Sequence, residues 1–172
     1  MTVDPGRYAI YFAPQPGSAL ARFGAAWLGY DVAAGAFVAQ PQAPGIAPRR
    51  LAEITAEPRR YGFHATLKPP FALAEGAGRG ALDEAVAAFA GHFPPFAAPP
   101  LRLACLEGFW ALMLSQGCRE MDRLAASCVT ELDRFRALPS ADELGRRRRA
   151  GLTPVQDALL ERWGYPYVIT RM

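Results

Sequence analysis

Asparagine is absent from this chain of 172 residues, lysine occurs once and histidine twice, and the three cysteines are scattered. Each shortage excludes something. Cys105, Cys118 and Cys128 are odd in number and form no Cys-x-x-Cys pair, so a closed disulfide framework is excluded. They read as small core or near-core thiols in a reducing, cytoplasmic compartment. No stretch is apolar enough to span a membrane. Met1 to Arg7 lacks the basic-then-apolar pattern of a secretory leader. There is no glycine-rich loop with P-loop or Rossmann spacing. There is also no histidine or cysteine cluster at metal-ligand spacing.

What is present is rich in alanine, arginine, glycine and proline, a bias that fits GC-rich codons and trades lysine for arginine. Lys68 therefore stands out, because every other lysine-or-arginine position is arginine. Hydrophobic residues make up 51% and charged residues 20%, which excludes a disordered chain. The length suits a single domain over residues 1–172, large enough to bury its own core. A net charge of +3 leans only slightly toward anionic ligands.

The pattern alternates strands and helices. Arg7 to Pro14 reads as a strand with Tyr8, Ile10 and Phe12 on one face. Ser18 is placed to cap a helix bearing Leu20, Phe23, Trp27 and Leu28, and Gly29 to end it. Val32 to Pro48 reads as a loop with room for a short strand. Pro48 opens a short helix through Ala56. The strand from Arg59 follows, with Pro69-Pro70 expected to end its pairing. Leu82, Val86, Phe89 and Phe93 mark an amphipathic helix. Leu101 to Leu106 and Phe109 to Ser115 form a hairpin around Glu107-Gly108. Met121, Leu124, Cys128, Leu132 and Phe135 mark a longer helix. Leu138 to Gly151, with Arg146 to Arg149, reads as a polar connection. Thr153, Pro154 and Gln156 make a capping box for a last helix that Gly164 stops. The sum is α+β with mostly antiparallel pairing.

The chemistry concentrates in Arg59-Arg60-Tyr61-Gly62-Phe63-His64-Ala65-Thr66-Leu67-Lys68-Pro69-Pro70-Phe71. Read as a strand, it turns Phe63, Ala65 and Leu67 to one face and Arg60, His64, Thr66 and Lys68 to the other. The second face is basic, hydrogen-bonding and titratable, and suits an anionic phosphoryl group. The residues alone leave plainer readings open: a satisfied histidine at His64, a β-branched strand residue at Thr66, solvated charges at Lys68 and Arg60. Tyr11 is a cleft candidate if the first strand pairs beside this one, with core packing as its alternative. His92 suits a helix C-terminal cation. The arginine run lacks interleaved aromatics, so a solvated loop is favoured over an RNA-binding patch.

His64-Ala65-Thr66-Leu67 resembles the His-x-Thr-hydrophobic signature of the two-histidine phosphoesterases, the RNA-ligase-T-like fold. The wider string resembles one branch of that superfamily, encoded beside phosphonate-degradation genes. Tyr8 to Phe12, Trp27-Leu28-Gly29 and Leu159 to Val168 fit the same branch. The resemblance implies a bilobed α+β fold with antiparallel sheets and a His-x-Thr or His-x-Ser motif in each lobe. It implies metal-independent acid–base chemistry without a cofactor, on a small cyclic phosphodiester or phosphorylated ribose compound. Carried onto this chain, His64 and Thr66 take the catalytic places, with Lys68, Arg60 and Tyr11 about the substrate.

The chain departs from that pattern. His92 is followed by Phe93-Pro94, with no hydroxyl residue in place. After Val168 the sequence runs Ile169-Thr170-Arg171-Met172 where the branch carries its second motif strand. The expectation is an incomplete second lobe, self-association through an open sheet edge, and impaired hydrolysis by this chain alone. The alternatives are a non-catalytic relative that binds phosphate ligands, or an RNA-binding protein acting through the arginine-rich loop.

Overall fold

The computed structural model describes residues 6–106, 108–149 and 151–168. The expectations for Met1 to Pro5, Glu107, Ala150 and Ile169 to Met172 lie outside the described residues. The order of elements is β1 (Tyr8–Phe12), α1 (Ala19–Leu28), β2 (Tyr30–Asp31), β3 (Ala36–Phe37), α2 (Pro48–Ile54), α3 (Ala56–Arg59) and β4 (Ala65–Phe71). Then come α4 (Arg79–Gly91), β5 (Leu101–Leu106), β6 (Phe109–Leu114), α5 (Arg119–Glu131), a 3-10 turn (Asp133–Phe135), α6 (Ala141–Arg148) and α7 (Pro154–Trp163). The class is α+β. The described strands form two-stranded sheets: β1 with β4, β2 with β3, and β5 with β6. The last two pairs are antiparallel. No helix among the described residues is long and apolar enough to cross a membrane.

Two compact units are distinguished, one of Tyr11–Thr66 and one of the remaining described residues. In the first, local capping sets the frame. The Ser18 hydroxyl accepts from the Ala21 N–H, and Gly29 closes α1 at φ 76°, where a side chain is disfavoured. Arg59 Nε donates to the Leu28 carbonyl at 2.6 Å, satisfying an end of α1 that has no intrahelical partner. Leu51 and Leu28 are buried here.

The second unit gathers Phe71, Leu82, Phe89, Cys128, Leu132 and Phe135 into one core. Burial of each large apolar side chain contributes about 1.5–3 kcal/mol, and that is why α4 and α5 carry their apolar stripes inward. Residues 135–137 extend the strand partnership of β4. The Ala74 N–H donates to the Phe135 carbonyl and the Ala137 N–H to that of Ala72, both at 2.9 Å. The capping box of Thr153 and Gln156 opens α7, and Gly164 at φ 74° ends it.

Three readings are corrected. The strand predicted from Arg59 begins at Ala65, because α3 runs through Arg59 and Gly62 turns the chain at φ +75°. Pro69-Pro70 does not end β4, which continues to Phe71. A two-stranded sheet leaves each strand an edge, where a missing N–H costs no ladder bond. The connection expected over Leu138 to Gly151 contains α6, capped by the Ser140 hydroxyl accepting from the Glu143 N–H. Its last turn carries Arg146, Arg147 and Arg148 beside the negative end of the helix dipole. Arg148 forks onto Asp157 and also reaches Glu161, and Arg147 reaches Glu143. Those carboxylates already engage two arginines of the run expected to form a solvated loop.

Candidate functional site

The unit Tyr11–Thr66 holds Tyr11, Arg60, His64 and Thr66. Its centre is the bend ahead of β4. A Cβ added at Gly62 would fall 2.1 Å from Val32 Cγ2, and the positive φ disfavours any side chain as well, so this position takes glycine for two reasons. Phe63 then packs on α1, where a Cβ at Gly24 would meet its ring at 2.3 Å. Phe23 contacts the same ring edge-on at 6.3 Å. The bend is thus pinned on both sides of residue 62, and His64 is delivered by a fixed backbone.

His64 Nδ1 lies 2.9 Å from the Gly62 carbonyl oxygen. A carbonyl only accepts, so Nδ1 is the donor here, and in the neutral ring Nε2 is the nitrogen that presents a lone pair. The imidazole stacks on the Tyr11 ring, with centroids 3.8 Å apart and planes 27° apart. Tyr11 therefore meets the imidazole. Burial, reinforced by Tyr61, holds its phenol above the ordinary value, so it remains neutral and able to donate. Thr66 is exposed two residues further along β4. The arrangement presents a half-buried, orientationally fixed base with a strand hydroxyl nearby in sequence. Such a base accepts a proton from water or from an alcohol. Arg60 ends α3 on the surface, with its guanidinium 3.7 Å from Glu57.

Lys68 belongs to the other unit and departs from expectation. It is 1% exposed. Its Nζ donates to the Val129 carbonyl at 2.9 Å and to Asp133 Oδ1 at 3.0 Å. Arg136 forks onto the same carboxylate at 2.8 and 2.9 Å. Burial pushes the Lys68 ammonium below its usual value, against the opposing pull of Asp133. For Asp133 burial acts upward, but the bonds from Arg136 and Lys68 outweigh it and hold the carboxyl low. The sole lysine is a buried cation between β4 and α5, with two of its three donors engaged inside the protein. This burial lends no support to the substrate-binding role expected for it.

One further sequence reading changes. Cys105 is exposed on β5, whereas Cys118 and Cys128 are buried. Burial raises the Cys128 thiol to about 11. His92 is the C-cap of α4, as its position predicts. The residues missed from sequence are Gly62, which supplies the carbonyl that fixes His64, and Gly24, which admits Phe63. The glycine two places before the histidine was the legible signal.

Two curated relatives span nearly the whole chain. One, from Janthinobacterium sp. (strain Marseille), is named ribose 1,5-bisphosphate phosphokinase PhnN and is 44% identical over 161 residues, covering 94% of this chain and 36% of the relative. The other, from Laribacter hongkongensis (strain HLHK9), bears the same name and is 40% identical over 162 residues, covering 94% and 37%. The chain therefore spans little more than a third of the length of these relatives. No solved structure matches it. Residues 66–172 match a family profile, beginning two positions after His64 and covering well over half of the sequence, so the chain belongs to the DUF1045 family, described as a protein of unknown function.

Proposed function

We propose that this chain handles a small phosphorylated ribose compound in phosphonate metabolism, opening a cyclic phosphodiester by acid–base chemistry centred on His64. The observation that carries this reading is the bond from His64 Nδ1 to the Gly62 carbonyl, with the ring stacked on Tyr11. Nε2 is left as the base. It takes a proton from the attacking water while the new P–O bond forms and one ring P–O bond breaks. The departing ribose oxygen receives a proton from solvent or from the resulting imidazolium. Thr66 donates to a non-bridging phosphoryl oxygen, and Tyr11 holds the imidazole plane. The superfamily resemblance in the sequence supports the reaction type. The relatives' name supports the substrate class, since opening a cyclic phosphodiester on a ribose phosphate leaves a ribose bisphosphate.

The residues of this chain do not fit the phosphokinase chemistry in that name. A P-loop needs a Gly-Lys-Ser or Gly-Lys-Thr run, and the only lysine here lies between Leu67 and Pro69. A second reading, phosphate binding without turnover, is favoured by His92. It caps α4 and is followed by Phe93-Pro94, so it offers no second His-x-Thr motif.

The test is hydrolysis of a panel of ribose-based cyclic phosphodiesters by the wild-type chain and by His64→Ala. Removing a positioned general base costs about 10²–10⁴-fold in rate. A loss on that scale with unchanged folding is expected. Near-normal turnover by the folded variant overturns the assignment, and saturable binding with no turnover by either protein selects the second reading.

A further inference from the structure

Among the described residues, one buried side-chain nitrogen in the unit built around Phe71 and Leu132 has no hydrogen-bond partner. Arg136 follows the 3-10 turn, and its strand-like backbone faces Leu73. Its side chain is 6% exposed. Nε and Nη2 fork onto Asp133, and Nη2 also donates to the Arg162 carbonyl at 2.9 Å. Nη1 is buried and makes no hydrogen bond among the described residues. Buried polar groups are almost always paired, and a guanidinium nitrogen left bare carries a standing penalty.

The same side chain walls a cavity of about 50 Å³ whose lining also includes Arg7, Phe71, Glu143, Arg147 and Gly164. Gly164 lies directly against the bare nitrogen, and a Cβ built there would fall 3.0 Å from Nη1. The wall is electropositive. Arg7 and Arg147 share the single carboxylate of Glu143, at 2.8 and 3.1 Å. Arg136 and Lys68 share that of Asp133. The lining itself thus sets three arginines against one carboxylate, Glu143, with Asp133 and Lys68 lying behind it. Arg147 is further held by stacking of its guanidinium 5.4 Å over the Tyr165 ring. The volume is a few times the roughly 10–15 Å³ that one water needs, which leaves room for a single oxyanion group.

We propose that this cavity is a binding site for one small oxyanion, a phosphate or carboxylate group, held by Arg136 and Arg147 with Arg7 at its rim. The anion accepts from the guanidinium edges in the planar geometry that arginine offers to both groups. Nη1 lies behind Gly164, so the anion would reach it only with a shift of that turn. Bound there, it would tie α6, the start of the segment after α7 and the 136–139 segment to the end of β4. The site does not involve His64 and does not depend on the chemistry proposed for that residue.

Calorimetry and thermal unfolding of the whole chain, with inorganic phosphate and with acetate as separate probes, test the proposal. Saturable binding of at least one probe is expected, with a rise in Tm that grows with its concentration. Phosphate alone identifies a phosphoryl source, and acetate alone a carboxylate source. Arg147→Gln, at the cavity wall, should weaken binding roughly tenfold or more through loss of a charge-assisted contact. Arg136→Lys should do the same, and Arg147→Gln keeps the test open if that variant misfolds. His64→Ala separates this cavity from the other anion candidate, and binding should persist in it. Failure of the folded wild-type chain to take up either probe overturns the site. So does binding that vanishes in His64→Ala yet survives Arg147→Gln.

Discussion

Gly62 shows how much of the candidate site rests on single residues. Its positive φ and its contact with Val32 leave no room for a side chain, and its carbonyl sets the tautomer of His64. Gly62→Ala should therefore destabilise the chain by more than about 1 kcal/mol. It should also lower any His64-dependent turnover in the molecules that still fold. Denaturant unfolding and turnover measured side by side check this, and an alanine variant that matches wild type in both contradicts the geometry. Asp133 makes a different kind of point. It serves two cations, so Asp133→Ala strands Lys68 and Arg136 together and should cost roughly 3–5 kcal/mol. Lys68→Met keeps the volume, removes one buried charge and leaves Asp133 paired with Arg136, so its cost should be clearly smaller. The reverse order in urea melts would show that Lys68, and not the carboxylate, holds the cluster. The pH dependence follows from the same bonds. The bonds from Arg136 and Lys68 hold the Asp133 carboxyl below its ordinary value. Its contribution is present above the unfolded value and is lost as pH falls through the folded one. Acid unfolding of Asp133→Asn should be less steep in that window than that of wild type.

At the scale of elements, local signals were legible wherever the chain answers to its own neighbours. Ser18 with Gly29, and Thr153 with Gln156 and Gly164, bounded α1 and α7 in sequence because caps satisfy backbone groups within one turn. What escaped was set by remote partners. Strand alternation put Lys68 on the same side as His64 and Thr66, but alternation does not say what covers that side. Along β4 the cover at Lys68 is the end of α5, with the Val129 carbonyl and Asp133. The helix α6 was hidden by a run of arginines without apolar period, although Ser140 three places before Glu143 was a capping signal in plain sight. The hairpin was legible as a hairpin but not in its exposure. Leu101, Leu103 and Cys105 face one way with Leu114, Leu112 and Trp110, and Trp110 is 64% exposed. Its cysteine gives a direct reading. Cys105 should react with a thiol reagent in the native chain, whereas Cys128, fully buried with its thiol raised to about 11, should react only on unfolding. Mass analysis of briefly labelled protein should find the label on Cys105. Native labelling of Cys128 at a comparable rate would mean that the core around Leu132 opens far more readily than its burial implies.

For the molecule as a whole, the tension lies between a relative's name and the residues present. The relatives are named for transfer of a phosphoryl group to ribose 1,5-bisphosphate, and this chain matches little more than a third of their length. Such transfer requires a cradle for nucleotide phosphates with a cation that reaches them. Arginine is plentiful here, but the P-loop lysine has no counterpart, because Lys68 is buried and engaged by Val129 and Asp133. What the described residues offer instead is a histidine-bearing bend and an arginine-lined cavity of about 50 Å³. The chain of 172 residues should therefore show no ATP-dependent phosphorylation of ribose 1,5-bisphosphate, while cyclic phosphodiester turnover, if present, should depend on His64. Incubation with labelled ATP and ribose 1,5-bisphosphate, followed by separation of the sugar phosphates, decides the first half. Transfer above the rate without protein, abolished by Lys68→Met, would place a kinase centre at the one residue whose geometry argues most strongly against it.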